Sequence, residues 1–271
     1  MTCISFITSV KICAGYEDYG HRVRLYIENT SRQCDRHSIE YEILISEDVC
    51  ERNTKPLSEY LTPEFLEGKN VTLFKLQQTY DNPYGHNMLE SPNKNLCLQH
   101  AKGEYVCMTS ADVLMNDAFY QLLSRTEDPR LYKNVFYRFL TYEVAVTPKP
   151  ISTYDSEAIM RHCEQNTNRC YNENLRHARM ISDIAYKSGD IMLMDRENWL
   201  KIKGFPMCGI FHHTDYVVCL VVQNNRISIC PVLDPIKVYG IIQEGRDKSG
   251  DSTEPEQWRI ASTFRNKLTC N

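Results

Sequence analysis

The stretch Asn95-Leu96-Cys97-Leu98-Gln99-His100-Ala101-Lys102-Gly103-Glu104-Tyr105-Val106, which runs on through Thr109 to Ser110-Ala111-Asp112, decides the fold. Its first half reads as a helix ending near His100, and Tyr105 to Thr109 read as a short strand. A helix that hands over to a strand, which then runs into an acidic residue, is the kind of unit from which a helix-connected sheet is built.

Working outward, the same unit recurs. Upstream, Cys3 to Val10 form a β-rich run, Val23, Tyr26 and Ile27 recur at helical spacing, and Tyr41 to Ile45 make a second apolar run. That is a βαβ unit. Pro-flanked, helix-like material at Lys55 to Leu66 leads to a strand at Val71 to Leu76. Strands separated by helices imply an α/β chain with a mostly parallel sheet covered on both faces. Downstream the spacing predicts a short helix at Ala118 to Ser124, an aromatic-rich strand at Asn134 to Tyr142, and a break at Pro148 and Pro150. Tyr154 to Lys187 is polar and reads as a partly helical insertion or a mobile loop. Order returns with a strand at Ile191 to Met194, a short helix around Trp199, a turn at Gly204-Phe205-Pro206, a helix from Thr214 to Val222 and a strand at Arg226 to Cys230. Beyond Tyr239 the composition predicts a surface extension that docks at Trp258.

The chain has 271 residues, 42% of them hydrophobic and 24% charged, which is enough for one large α/β core. A formal net charge of −4, without any long block of like charges, argues against a nucleic-acid partner. The 12 cysteines are scattered, with no Cys-x-x-Cys pair, and are expected as buried thiols in a reducing, cytoplasmic compartment. The apolar stretch Ile4 to Val10 is a strand's length and stops at Lys11, so neither a signal peptide nor a membrane span is expected. The sequons at Asn29 and Asn70 carry little weight without a secretory signal.

In an open parallel sheet, ligands bind outside the carboxyl ends of the strands. The second strand runs into Ser46-Glu47-Asp48 and the fourth into Ser110-Ala111-Asp112. Carboxylates at two such ends suit a nucleotide with a hard divalent cation, which takes oxygen ligands. The alternative is that these are ordinary polar loop residues.

At this point the residues resemble a known family. The Asn-bearing helix followed by Ala101-Lys102-Gly103-Glu104-Tyr105 and then Asp112 is similar to the segment preceding the metal-binding acidic motif of family-2 glycosyltransferases. Ile4 to Ser9 resemble that family's first strand, and Tyr41 to Asp48 its second. Gly189-Asp190-Ile191, then Trp199 to Phe205, then Asp215-Tyr216 resemble the later run of GT-A enzymes. The resemblance implies a GT-A-type, Rossmann-like α/β/α sandwich that transfers a sugar from a nucleotide-diphosphate sugar, most often a UDP-sugar. It implies a nucleotide-binding half over residues 1–115, an acceptor-binding half over 116–240 and an extension over 241–271. Asp48 matches the residue that hydrogen-bonds the nucleobase, and Thr8 and Ser9 match the strand end lining the same pocket. Ser110, Ala111 and Asp112 stand at the acidic motif, with Asp112 as the ligand of Mn2+ or Mg2+. Lys94 stands where a basic residue often precedes the Asn and faces phosphate. Asp215 matches the catalytic base of inverting members.

Two positions depart from the pattern: Ser110 replaces the first Asp of Asp-x-Asp, and Thr214 replaces the acidic residue before the base. Glycosyl transfer needs a departing diphosphate neutralised and an acceptor hydroxyl deprotonated, tasks for a metal on Asp112 and for Asp215. A catalytically inactive GT-A-like binding module and a sugar nucleotidyltransferase are the alternatives. The latter wants a Gly-rich phosphate loop after the first strand, which Lys11 to Gly15 do not supply, and a Walker loop is absent too. His212 with His213, and His162 with Cys163 and Cys170, are minor candidates for metal ligation, and no local signature marks a cysteine nucleophile. Met192, Met194 and Trp199 read as core, although Trp199 offers a face for a sugar ring.

Overall fold

The first strand, β1 (Cys3–Val10), is buried along its whole length after Cys3, as expected of a strand covered on both faces. A computed structural model describes residues 3–12, 18–49, 55–77, 90–124, 131–144, 150–170, 176, 191–207 and 214–241. After β1 come α1 (Tyr19–Arg36), β2 (Glu40–Val49), the one-turn α2 (Pro63–Leu66), β3 (Val71–Gln77), α3 (Glu90–His100) and β4 (Tyr105–Met108). Then follow β5 (Val113–Met115), α4 (Asp117–Ser124), β6 (Val135–Phe139), β7 (Thr141–Val144), α5 (Ser156–Gln165) and β8 (Thr167–Cys170). The described chain closes with β9 (Met192–Asp195), α6 (Arg196–Lys201), α7 (Thr214–Asn224), β10 (Ser228–Val232) and β11 (Val238–Ile241).

A seven-stranded sheet has the order β10-β6-β9-β4-β1-β2-β3. Neighbours pair in parallel except around β9, which runs antiparallel to both β4 and β6. The carboxyl ends of β1, β2, β3, β4, β6 and β10 therefore share one edge. Side-chain alternation divides the core between two faces. Phe6 and Cys107 join Tyr26 of α1 and Phe119 of α4 on one face. Ile7, Val106 and Phe136 join Leu98 of α3, Trp199 of α6 and Val218 of α7 on the other. The result is the expected α/β/α sandwich with a mostly parallel central sheet.

A second sheet, of order β5-β11-β7-β8, packs with Ile151, Ile159 and Cys163 into a separate apolar cluster. The aromatic run expected as one strand over Asn134 to Tyr142 is divided between the two sheets, β6 ending at Phe139 and β7 beginning at Thr141. Leu140 makes the transfer, fully buried, with its carbonyl accepting from Val238 N at 3.1 Å. Hydrophobicity is continuous across the break because both sheets demand it, so no polar or turn residue marks the boundary. The segment from Lys55 holds only a 3-10 turn at Leu57–Glu59 and the single turn α2, whose Thr62 hydroxyl accepts from Phe65 N at 3.3 Å. Within Tyr154 to Lys187, α5 and β8 are ordered, while 171–175 and 177–187 lie outside the described residues. The expected extension also lies outside them, except for Ile241, which is buried in β11.

The Ala101-Lys102-Gly103-Glu104-Tyr105 run is architecture. Gly103 N donates to Ser5 Oγ at 2.8 Å, and Ser5 Oγ donates to Glu42 Oε1 at 2.6 Å. The same carboxylate oxygen accepts from Lys102 N at 2.6 Å. A Cβ on Gly103 would stand 2.5 Å from Ser5 N, so only glycine permits the approach. This lock sits at the amino ends of β1, β2 and β4, the edge opposite Asp112. Asn29, one of the sequon residues, is buried with its amide donating to Met115 O at 3.3 Å. Among the described residues, no helix is long and apolar enough to cross a membrane.

Candidate functional site

The register of the parallel strands determines what meets at the carboxyl edge. Val10 pairs with Glu47, which puts Asp48 one residue past the end of β1. Thr109 N donates to Ile7 O at 2.8 Å, so Ser110 leaves β4 beside Thr8 and Ser9. Thr8 and Ser9 are 0% and 2% exposed, and neither hydroxyl has a hydrogen-bond partner among the described residues. Buried hydroxyls in that condition are costly unless a ligand or water satisfies them.

The two acids that end β2 have different tasks. Glu47 Oε1 accepts from Leu57 N at 2.7 Å, which ties down the segment after β2. Asp48 is fully buried and its Oδ2 lies 3.8 Å from Lys11 Nζ, itself buried. Lys11 follows β1 directly and was not marked by any motif. Just upstream, Ser46 Oγ donates to Asn93 Oδ1 at 2.5 Å, fastening β2 to α3.

On β4's continuation, Ser110 and Asp112 are half-buried, whereas the Ala111 side chain packs into the core with Val113 and Met115. The Asp112 carbonyl accepts from Ile241 N at 3.0 Å, so β11 fixes the backbone that carries its carboxylate. Ser110 and Asp112 thus remain the side chains facing the edge in this motif.

The first residues of α3 and α7 also converge there, because each helix runs from the carboxyl edge back toward the amino edge before β4 and β10. Thr214 Oγ1 donates to Glu90 Oε2 at 3.0 Å, and Lys94 Nζ donates to Glu90 Oε1 at 2.6 Å. Lys94, expected at a phosphate, is buried with its ammonium on Glu90 and 4.9 Å from the centre of the Phe205 ring. Asp215 is half-buried in the first turn of α7, its Oδ1 accepting from Tyr216 N at 2.9 Å, where the helix dipole favours a carboxylate. Asp48, Asp112 and Asp215, drawn from three distant stretches, therefore lie along one edge of one sheet.

Sequence reasoning passed over Arg138 as well. It is fully buried at the carboxyl end of β6, on the same side as Phe136 and hence toward α7. Cys219, one turn along α7 from Asp215, is pushed up to about 11 by burial, with Arg138 lowering and Asp215 raising it. The only sequence signal for Arg138 was a lone cation inside an aromatic strand, where charges are rarely buried without a purpose.

Asn95, the asparagine of the recognised helix, closes a two-way clamp: its Nδ2 donates to Phe205 O at 2.9 Å and its Oδ1 accepts from Phe205 N at 2.7 Å. Gly204 makes the turn at φ +71, a conformation open to glycine, and a Cβ there would meet Asn95 Oδ1 at 2.2 Å. Trp199 is fully buried, donates Nε1–H to Val106 O at 3.1 Å and stacks on Phe205 with ring centres 5.9 Å apart. It belongs to the core and offers no face to a sugar.

Among the described residues, no group of three or more His, Cys, Asp or Glu side chains is placed to hold a metal ion. Cys163 packs in the core of the second sheet and is pushed up to about 12 by burial, while the His162 ring stands edge-on to Tyr154. That pair does not make a zinc site. His212 and His213 lie outside the described residues. For a hard cation the motif after β4 offers one carboxylate, Asp112, a donor that fits Mg2+ or Mn2+ only when diphosphate oxygens complete the shell.

The fold and edge define a class: this is the GT-A-type glycosyltransferase fold, shared with solved structures despite low sequence identity. No family model matches the chain, and no curated protein matches it in sequence. The structure of S. aureus TarS 1-349 superposes with a TM-score of 0.55 at 13% identity, over 97% of this chain and 65% of that one. TarS 1-349 in complex with UDP-GlcNAc gives the same TM-score, 0.55, at 14% identity, over 97% of this chain and 66% of that one. The longer S. aureus TarS structure aligns at 12% identity and is covered over 39% of its length, again with a TM-score of 0.55. The chain thus spans less than two thirds of those proteins' lengths. At these identities the likeness is one of fold.

Proposed function

We propose that the protein is a glycosyltransferase that moves a sugar from a nucleotide-diphosphate sugar, with UDP-sugars favoured, to an acceptor hydroxyl. The observation that carries this reading is the gathering of Asp48, Asp112 and Asp215 at the carboxyl edge of a fold whose TarS neighbour is known in complex with UDP-GlcNAc. In this reading Asp48, Thr8 and Ser9 receive the nucleoside, and the buried Thr8 and Ser9 hydroxyls gain the partners they lack in the described chain. Residues 1–115 serve the donor and 116–240 the acceptor. Asp112 and Ser110 face the diphosphate, and Asp112 would hold Mn2+ or Mg2+, which neutralises charge on the leaving group. Lys94 serves from beneath by holding the Glu90 carboxylate in place.

Asp215 acts as general base. It takes the proton of the acceptor hydroxyl, the acceptor oxygen bonds to the anomeric carbon, and the carbon–oxygen bond to the diphosphate breaks on the opposite face. A single displacement inverts the anomeric centre. Among the described residues no disulfide joins the cysteines, which suits a reducing compartment such as the cytoplasm.

The test is Asp215→Asn. The variant keeps UDP binding while sugar transfer falls about a hundredfold or more. Transfer at the parent rate removes Asp215 from the role.

A further inference from the structure

We infer that Glu90 is a positioning residue for Asp215, supplying from α3 the carboxylate that locks the start of α7 and couples it to the nucleotide-binding strands. The inference rests on the reading of Asp215 as the base.

Glu90 and Thr214 are the first residues of two helices that lie 124 positions apart in the chain and pack on the same face of the sheet. One carboxylate joins them: Oε2 accepts from the Thr214 hydroxyl at 3.0 Å and Oε1 from Lys94 at 2.6 Å. Lys94 has a side-chain exposure of 2%, so Glu90 is held by a buried cation and cannot swing away without leaving that charge uncompensated. Thr214 is 3% exposed, and its hydroxyl is likewise confined. Asp215 is covalently next to it.

The first turn of α3 completes the connection. Asn93, three residues from Glu90, accepts from Ser46 Oγ at 2.5 Å, and Ser46 stands two residues before Asp48 on β2. A continuous hydrogen-bonded bracket therefore runs from β2 through Ser46 and Asn93 to α3, and from Glu90 through Thr214 to Asp215. Two helices joined at their first turns, one of them fastened to β2, give a displacement of the donor-side strand a contiguous route to the base. The bracket also sets a carboxylate on the hydroxyl of Thr214, the residue directly before Asp215.

A simple staple between two helices would add stability and nothing else. A positioning device changes turnover more than donor affinity, and it transmits nucleotide binding to α7. Glu90→Gln risks misfolding because it strands Lys94, so the decisive pair is Thr214→Val, which keeps the shape and deletes the hydroxyl, and Thr214→Ser, which restores it. Three quantities are measured on each: kcat and KM for consumption of UDP-GlcNAc, UDP affinity by calorimetry, and hydrogen exchange of the 214–220 backbone with and without UDP. For Thr214→Val the expectation is a kcat about tenfold lower with KM within about twofold, faster exchange in the first turn of α7, and loss of its slowing by UDP. Thr214→Ser returns all three to the parent values. Parental kcat in Thr214→Val overturns the inference, whether or not exchange rises. If the parent neither consumes UDP-GlcNAc nor binds UDP, the functional reading falls separately. The bracket is then judged on exchange without nucleotide: a faster first turn in Thr214→Val supports it, and an unchanged one overturns it.

Discussion

Gly103→Ala tests whether the chain's most recognisable motif is architecture or chemistry. The added methyl would lie 2.5 Å from Ser5 N, 2.6 Å from Ser5 Oγ and 2.9 Å from Cys3 O. Two of these atoms are backbone of β1, and β1 is hydrogen-bonded to β2 on one side and β4 on the other, so it cannot retreat without loosening the sheet. Overpacking of this kind costs about 1–3 kcal/mol. Moving Ser5 also weakens the bonds that Glu42, 7% exposed, receives from Ser5 and Lys102. Leaving a buried acceptor short of donors adds about 1–3 kcal/mol. The sum, about 2–6 kcal/mol, lowers Tm by roughly 4–24 °C for a domain of this size. Differential scanning calorimetry of parent and variant reads the shift, and UDP titration at a temperature where both are folded reads the site. The expected result is a lower Tm with UDP affinity within about twofold, because Gly103 sits at the edge opposite the candidate site. A parental Tm together with a large loss of UDP affinity would refute the reasoning.

Two further outcomes follow from packing and burial. Trp199→Ala deletes a fully buried indole and leaves Val106 O without its donor, so unfolding free energy should fall by about 3–5 kcal/mol in a denaturant titration, and a smaller change would show that Trp199 is dispensable to the core. Burial pushes Cys97 and Cys163 up to about 12 and Cys219 up to about 11, from an ordinary thiol value of 9.0. A raised thiol pKa contributes stability that is fully present below about pH 9 and is lost as pH rises toward 11 and 12. Melting temperatures scanned from pH 8 to 11 should therefore decline above about pH 9 in the parent, and replacing the three cysteines with alanine should flatten that decline. A decline of equal steepness in the alanine variant would place its cause elsewhere.

Much of the fold could be read from local pattern because its strands are buried on both faces and its helices alternate with them. β1 falls on the expected residues, and α3, α4, β9 and α7 begin or end within a residue or two of expectation. The sheet switch at Leu140 was invisible because both sheets ask for the same apolar residues there. At the candidate site, the sequence marked strand ends and so singled out Asp48 and Asp112, but it had no means of dividing labour between Glu47, which holds Leu57, and Asp48, which faces Lys11. Nor did it single out Glu90 or Arg138, whose surroundings are set by partners far away in the chain. The family-like run around Gly103 gave the resemblance its strength, yet its physical task lies at the amino edge, joining β1, β2 and β4. Fold motifs and chemical motifs need not coincide, which is why the placement of Lys94 against Glu90 differs from a simple reading of a basic residue facing phosphate.

In the proposed function a nucleoside diphosphate binds at the carboxyl edge beside Asp48 and Asp112. Calorimetric titration of UDP into the parent, Asp48→Asn and Asp112→Ala proteins, each with and without Mn2+, measures it most directly. Saturable 1:1 binding to the parent is expected, with a loss of about 10- to 100-fold in Asp48→Asn with or without the cation, and loss of the Mn2+-dependent part of the affinity in Asp112→Ala. Equal affinities in all three folded proteins, or no binding to the parent, would contradict it.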